Sequence, residues 1–446
     1  MSSHVGYVVV ARDFKPHPNA DRLQIATFFG NETCVSTDIW PGEIGIYFPS
    51  DLQLSEEYCD QNHLCRKTAS GEPDTGYLDR DKRNVTAIKL RGYKSDGIFM
   101  PITSIVYTGV NLDDINVGDT ISVVNGHEIC RKYIPNVQNR RGRAVEGNRT
   151  RTTAKKNIDI SPLFTEHADT EQLAYNMDAF KGGDIVEITL KMHGTSQRTG
   201  YLPVFKGYKR TIIDRILRRE GTPIYDWGYV TGTRRTICRE GADGFYGSNK
   251  FREVQAKKFE GKLHKGEEVY YEVVGYTDTN VPIMADCANK KLNDKDFVKQ
   301  YGDTTRFSYG CEVGESDIYV YRMTMTNEDG DIVEYTPDFM RYRCEQMGVK
   351  TVPVFTTFIL DSVDLENDSR TAGEIVRDVA ERYYDGVDPI GKTHVREGVV
   401  CRIVNRPKFC AYKHKNWSFK CLEGIVKAEA EAPDMEEAEE VTNDEN

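Results

Sequence analysis

Lys191 is the first residue whose position suggests covalent chemistry. It ends a strand-like segment, residues 184–191, in which polar and apolar residues alternate, and Gly194 follows three residues later. A lysine at a strand end before a glycine turn could form a phosphoramidate, because neighbouring cations favour its neutral, nucleophilic form. The pattern is weak alone, since the same lysine-to-glycine spacing also occurs at Lys89, Lys94, Lys258 and Lys299.

Two glutamates further along the chain lie in otherwise apolar, strand-like sequence. Glu272 lies within Val269–Gly275, and Glu397 begins the sequence Glu397-Gly-Val-Val400. A buried carboxylate without a partner is costly, so each needs one, such as a ribose hydroxyl or a metal-bound water. A structural salt bridge remains the alternative for Glu272. Glu423 fits the same glutamate-glycine form, but only an acidic tail follows it.

Two further pairs of residues would each share a face if their segments are extended. Lys413 and Lys415 could bind an α-phosphate. Their positive charge would also favour the neutral form of Lys191. Tyr319 and Tyr321 could stack on a base or could belong to the core.

The order of these residues along the chain resembles that of the covalent nucleotidyltransferases, the ligases and capping enzymes. Lys191 is followed by Arg234 in Thr231-Gly-Thr-Arg-Arg-Thr236, then by Glu272, the strand containing Tyr319 and Tyr321, Glu397, and finally Lys413 and Lys415. The sequence is most similar to ATP-dependent RNA ligases, and an N-terminal barrel makes it resemble the nick-sealing ligases of the Deinococcus type. The resemblance spans roughly residues 5 to 425. The same order rejects Lys94 and Glu423.

The resemblance implies a three-step reaction. Lys191 would attack the α-phosphate of ATP to give a lysyl-AMP intermediate, AMP would pass to a 5′-phosphate end, and a 3′-hydroxyl would displace it. Glu397, Lys413 and Lys415 would complete the catalytic set, with Glu397 holding Mg²⁺ or Mn²⁺ through water.

The resemblance also implies a nucleotide-binding set. Gln172 would recognise adenine, and Tyr321, in preference to Tyr319, would stack on it. Glu272 would bind the ribose, and Arg234 would bind the 5′-phosphate end or the AMP phosphate. The set also includes His193, Gly194 and Val400. His193 departs from the common pattern, since most such ligases have aspartate there.

The predicted fold class is α+β, with an N-terminal OB-like β-barrel followed by an adenylyltransferase domain of antiparallel sheets and flanking helices. Short alternating strands at 7–11, 23–29, 44–48, 85–90 and 120–124 predict an all-β sandwich or a small barrel. The sequence His17-Pro-Asn-Ala-Asp-Arg-Leu23 resembles the start of barrels appended to some tRNA synthetases. The predicted domains are 1–127, which would bind nucleic acid, a basic linker at 128–157, the transferase at 158–427, with a helix at 170–180, and an acidic disordered tail at 428–446.

Composition excludes several classes of protein. The 446 residues contain no apolar run long enough for a bilayer, and the N-terminus lacks a secretion signal, so we expect a cytoplasmic protein. The resemblance implies RNA or an RNA-containing nicked duplex as the partner, and we expect a monomer. The net charge of −11 comes mostly from nine acids after Lys427. A basic stretch at 206–219 has helical spacing.

Three alternative functions remain. A DNA ligase and a capping guanylyltransferase share the motifs but bring a further barrel after the lysine pair. A non-catalytic OB-fold RNA-binding protein would not need every reactive residue to be present, and here all are.

Overall fold

The chain divides into two compact units, each assembled from separate stretches of sequence. Unit 1 combines residues 1–136, 287–304 and 416–431, and unit 2 combines 137–286, 305–415 and 432–446. The structure, a computed structural model, describes residues 4–133, 160–167, 170–234, 237–238, 250–361 and 368–428. Most of the predicted basic linker, and all but the first residue of the predicted acidic tail, lie outside the described residues.

Unit 1 consists mainly of short antiparallel strands. Its four-stranded sheet has the order Thr120–Ile121, Gly6–Val10, Ile44–Phe48, Ile98–Pro101, and its three-stranded sheet the order Lys15–Pro16, Leu23–Phe28, Asn31–Ser36. Two-stranded sheets pair Leu52–Leu54 with Cys130–Lys132, Ile88–Leu90 with Tyr93–Ser95, and Val123–Val124 with His127–Glu128.

The first three predicted strands of unit 1 are confirmed to within one residue at each end. The fourth is shorter than predicted, at Ile88–Leu90, and the fifth is broken after Ile121. Within the described residues, the pairing leaves separate sheets and does not close them into one barrel.

The later segments of unit 1 are tied to its N-terminal part by buried and half-buried ion pairs. Lys420 Nζ lies 2.7 Å from Asp96 Oδ2, and Lys89 Nζ lies 2.6 Å from Asp294 Oδ2. The unit's helices are Glu56–Gln61, Lys295–Tyr301 and Trp417–Ala428, with 3₁₀ helices at Ile102–Thr108, Leu112–Asp114 and Asn289–Leu292.

Unit 2 contains two five-stranded sheets. The first, the Lys191 sheet, has the order Glu171–Gln172, Ala411–Lys415, Gly398–Ile403, Ile185–Lys191, Val354–Ile359. Only its first pairing is parallel. Ile185–Lys191 is an interior strand, between Gly398–Ile403 and Val354–Ile359. It has buried side chains on both faces, as its β-branched residues favour.

The second sheet of unit 2, the Glu272 sheet, is antiparallel throughout. Its order is Thr222–Gly232, Thr195–Lys209, Glu267–Gly275, Ser316–Thr326, Ile332–Glu334. Helices Lys250–Lys257 and Pro337–Met347 lie against its apolar side, where Phe251 and Met340 join the core of the sheet. Proline follows the Thr336 cap of the second helix, and Gly348, with a φ of +69°, ends it.

The predicted helix at 170–180 is wrong. Glu171–Gln172 is extended, because it pairs with Tyr412 and Lys413, and only two 3₁₀ turns follow, Leu173–Tyr175 and Met177–Ala179. Elsewhere in unit 2, the helix Ala372–Glu381 joins the core of the Lys191 sheet.

The basic stretch at 206–219 is helical only over Ile212–Ile216. Lys206–Lys209 completes a strand, a Thr211–Asp214 capping box starts the helix, and Arg218 has a left-handed φ of +53°. In the described part of the chain, no helix is both long and apolar enough to cross a membrane. Mixed helices and mainly antiparallel sheets are confirmed as the fold class.

Candidate active site

Lys191, the candidate nucleophile, lies where three strand ends meet. It stands opposite Gly398 in the antiparallel pairing, and Gly398 stands opposite Lys415 on the next strand. Glu397 comes just before Gly398, so it precedes its strand, although the sequence pattern placed it inside. The register therefore brings a carboxylate between two lysines that are 224 residues apart in sequence, Lys191 and Lys415.

Glu397 is the centre of an ion-pair cluster. Its Oε1 lies 2.7 Å from Lys191 Nζ and 3.7 Å from Lys415 Nζ. Its Oε2 lies 3.5 Å from His193 Nδ1. The Glu397 side chain is 2% exposed, against 22% for Lys191. The structure thus brings together four of the residues selected from the sequence.

Two opposing effects act on the pKa of Glu397. Burial raises it, because a low dielectric disfavours the charged form. The charges of Lys191, His193 and Lys415, together with the close approach of the His193 imidazole, outweigh burial and lower the pKa to about 2. Glu397 is therefore a carboxylate at neutral pH.

The glycines beside these residues allow neighbouring backbones to approach closely. A Cβ on Gly398 would lie 2.1 Å from the carbonyl oxygen of His414, and the residue has a φ of +150°. A Cβ on Gly194 would lie 2.4 Å from the carbonyl oxygen of Val273. Both glycines are thus needed for packing on either side of Lys191.

Gly398→Ala is therefore expected to destabilise the protein by about 2 kcal/mol or more, because the new methyl group overlaps backbone that cannot move aside. Urea unfolding measures the change. Gly424→Ala is the matched control, since its Cβ would meet the Thr86 side chain at an ordinary 3.5 Å, and a helical alanine is favoured over glycine. Equal stability of the two variants would contradict the predicted packing.

The lysine pair lies on the strand beside Gly398. Lys413 and Lys415 are both within the strand Ala411–Lys415, which confirms the extended conformation predicted for them. Lys413 stands opposite Val400 on one side and Gln172 on the other. Gln172 and Val400 are thus neighbours of the lysine pair across the sheet.

Glu272 is connected to the same turn. The backbone N–H of Gly194 donates a hydrogen bond to Glu272 Oε1 at 3.1 Å. Glu272 stands opposite Ser196 and Tyr319 in its sheet. The Ser196 and Tyr321 hydroxyls are 3.0 Å apart. The Met192–Gly194 turn therefore joins the end of the Lys191 strand to the Glu272 sheet.

The two tyrosines differ in their surroundings. Tyr319 is 5% exposed, and Lys350 Nζ lies 5.6 Å from the centre of its ring. Tyr321 is half-buried, with its ring 6.0 Å from that of His167. Of the two, Tyr321 has the more accessible ring.

Arg234 lies beside His167 rather than in the Glu397 cluster. The His167 backbone N–H donates to the Arg234 carbonyl oxygen at 3.1 Å. His167 Nδ1 lies 2.9 Å from Arg322 Nη1, and because arginine only donates, the imidazole nitrogen accepts. Arg322 is also paired with Glu334.

Comparison with known proteins shows which solved structures have a similar fold. No family model matches the chain, and no curated protein matches it. Solved structures of a Naegleria gruberi RNA ligase are similar. A variant of this ligase in complex with AMP and manganese has 15% sequence identity to this chain and a TM-score of 0.54. The alignment covers 93% of this chain and 97% of the ligase chain. The same ligase with pyrophosphate is 15% identical at a TM-score of 0.54, over 96% and 99%. This chain has the fold of an RNA ligase.

The RNA-ligase fold extends over nearly the whole chain, so the sequence resemblance is confirmed at the level of the fold. The cited alignments each cover more than nine-tenths of both chains. They therefore include most of unit 1 as well as unit 2.

The residues in this RNA-ligase fold that could hold a metal ion are few. Among the described residues, no three His, Cys, Asp or Glu side chains converge to form a metal cage. Glu397 Oε2 is buried and accepts no hydrogen bond from the described residues within normal geometry. One carboxylate with a spare oxygen suits a hard cation that keeps most of its water.

Three residues around His193 were missed in the sequence. The His193 backbone N–H donates to Tyr309 Oη at 2.7 Å, and the His193 and Phe307 ring centres are 4.6 Å apart. The ring of His394 lies 5.1 Å from Phe307 and 4.6 Å from Tyr309. No spacing pattern joins these residues, and the only signal was a histidine three positions before Glu397.

Proposed function

We propose that this protein is an ATP-dependent RNA ligase that joins a 5′-phosphate to a 3′-hydroxyl through a lysyl-AMP intermediate. The observation that carries the proposal is the cluster in which Lys191 and Lys415 meet the buried carboxylate of Glu397. The RNA-ligase fold supports the same conclusion.

In the first step, Lys191 Nζ attacks the α-phosphorus of ATP. A phosphorus–nitrogen bond forms, the bond to the pyrophosphate oxygen breaks, and the lysine loses its proton. The attacking amine must be neutral, so the 2.7 Å ion pair with Glu397 has to break first. Lys413 and Lys415 would bind the α-phosphate and stabilise the charge that develops on its oxygens.

In the second and third steps, the chain holds the nucleotide while two oxygens attack in turn. An oxygen of the 5′-phosphate displaces Lys191 from the AMP phosphorus, and the 3′-hydroxyl then attacks the 5′-phosphate and releases AMP. Glu272 would bind the ribose, and Tyr321 would stack on adenine, with Gln172 reading its edge and Val400 nearby. Arg234 would bind the 5′-phosphate end or the AMP phosphate.

ATP and a divalent metal ion are the proposed cofactors. Structures of the Naegleria ligase hold ATP or AMP together with manganese. Mg²⁺ or Mn²⁺ would neutralise the charge on the phosphate oxygens when bound. In this chain, Glu397 would hold the ion through water, using the buried Oε2 that lies 3.5 Å from His193.

The nucleic-acid substrate is proposed to be a nicked duplex with RNA on the 3′-hydroxyl side, as in RNA repair by ligases of the Deinococcus type. Unit 1 would serve as the OB-like nucleic-acid-binding part, and selectivity would depend on A-form shape and 2′-hydroxyl contacts. A cytoplasmic monomer completes the proposal.

A sealing assay tests this substrate assignment. Purified protein is given a 5′-phosphate nick with either an RNA or a DNA 3′-hydroxyl strand, and either ATP or GTP, with Mg²⁺ or Mn²⁺. We expect sealing of the RNA nick with ATP and little with GTP. Labelling with GTP and no sealing would favour a capping-type guanylyltransferase, and binding of the nick without reaction would favour a non-catalytic RNA-binding protein.

A further inference from the structure

The backbone just after Lys191 is fixed by two hydrogen bonds from successive amides. The His193 N–H donates to the Tyr309 hydroxyl oxygen at 2.7 Å. The Gly194 N–H donates to Glu272 Oε1 at 3.1 Å. Because Lys191 is only two residues before the first of these amides, the two acceptors determine the direction in which the strand ends.

Tyr309 is itself held firmly. It is 4% exposed and has a left-handed φ of +50°, which a bulky residue adopts only when its surroundings impose it. A Cβ on Gly391 would lie 2.7 Å from the backbone nitrogen of Gly310, so the two loops pack backbone against backbone. Burial raises the pKa of the Tyr309 phenol well above its ordinary value, and the group therefore stays a neutral hydroxyl.

His394 links Tyr309 to the other side of the site. It is fully buried, its ring lies 4.6 Å from that of Tyr309, and its Nδ1 donates to the Val395 carbonyl oxygen at 2.9 Å. Asp388 fixes the same loop by accepting hydrogen bonds from Ile390 and Gly391. Since His394 precedes Glu397 by three residues, the packing around Tyr309 extends from the Lys191 turn to the segment that carries Glu397.

We propose that Tyr309 is a positioning residue for the nucleophile, acting through its hydrogen bond to the His193 amide to align Lys191 for attack on the α-phosphate. The inference rests on the proposed ligase function. Tyr309 acts through the backbone and need not contact ATP. It should matter most in the step in which Lys191 attacks, and least in the final sealing step, in which the 3′-hydroxyl is the nucleophile.

Tyr309→Phe removes only the hydroxyl and should slow formation of the lysyl-AMP adduct about tenfold, because the loss of one net hydrogen bond would lower the population of the aligned Lys191 conformation about that much. Sealing of a pre-adenylylated nick should stay within about twofold of wild type. Tyr271→Phe is the matched control, because the buried Tyr271 hydroxyl bonds Thr199 Oγ1 at 2.8 Å in the core of the Glu272 sheet. It should leave both rates unchanged while lowering thermal stability to a similar extent.

Single-turnover labelling with α-labelled ATP and sealing of the pre-adenylylated nick are measured on all three proteins. Gly391→Ala provides a second variant, since it displaces the Tyr309 loop without altering the tyrosine, and should also slow labelling selectively. If wild type is labelled and Tyr309→Phe is labelled at the same rate, or if Tyr309→Phe slows labelling and sealing equally, the positioning role alone would be overturned. Absence of labelling in wild type would overturn the ligase function as well.

Discussion

Replacement of Lys191 is expected to lower adduct formation and ATP-dependent sealing by at least about 10³-fold, because Lys191 supplies the nitrogen of the proposed phosphorus–nitrogen bond. In the wild-type protein, Lys191 Nζ lies 2.7 Å from Glu397 Oε1. Lys191→Arg is the more informative variant, because arginine keeps a positive charge beside Glu397 but cannot lose its proton to become a nucleophile. Lys191→Ala should give the same loss. Both are measured by nick sealing with ATP.

The same variants should still seal a nick whose 5′ end is already adenylylated, because Lys191 is not the nucleophile in that step. Lys94→Ala is the control, since Lys94 shares the lysine-to-glycine spacing but pairs with Glu32 at 3.0 Å in unit 1. It should behave as wild type. ATP-dependent sealing by Lys191→Arg, or loss of the lysyl-AMP adduct in Lys94→Ala, would show that the nucleophile lies elsewhere.

Glu397→Gln is expected to lower both adduct formation and sealing of a pre-adenylylated nick by about 10²- to 10³-fold, the usual scale for removal of one preorganised charge in an active site. The substitution keeps the shape of the side chain but removes the negative charge shared by Lys191, His193 and Lys415. The metal that Glu397 would hold serves every step, so the loss should not be confined to the first. Rates of the separate steps measure it.

Glu187→Gln is the control for this second variant. Glu187 is a buried carboxylate on the same strand as Lys191, but its partner is Arg341 at 2.7 Å. It should lower stability, since it breaks a buried ion pair, without a selective loss of either step. If Glu397→Gln were no slower than Glu187→Gln at equal fraction folded, Glu397 would have a structural role only.

Sequence alone predicted the strands that carry the site better than the segments around them. Alternating polarity located Ile185–Lys191, because a period of two is imposed locally by the strand. The 170–180 segment was predicted as a helix. Its first residues pair instead with Tyr412 and Lys413, a contact between segments about 240 residues apart that local periodicity does not contain.

For the candidate site too, the sequence predicted local features but did not predict contacts between distant segments. The order of Lys191, Glu272, Glu397 and Lys415 could be read from the sequence, but their distances could not. Register across three strands places Glu397 between the two lysines, and register depends on the whole sheet. Tyr309 was missed because its hydroxyl acts on a backbone amide 116 residues away, and such a contact leaves no local pattern.

Covalent bonding of Lys191 to AMP can be detected by incubating purified protein with α-labelled ATP and Mg²⁺ or Mn²⁺, followed by denaturing electrophoresis. We expect label on the wild-type chain that survives denaturation, with Lys191 as the modified residue in a peptide map and no label on Lys191→Arg. Label on another residue, or no label with either metal, would contradict it.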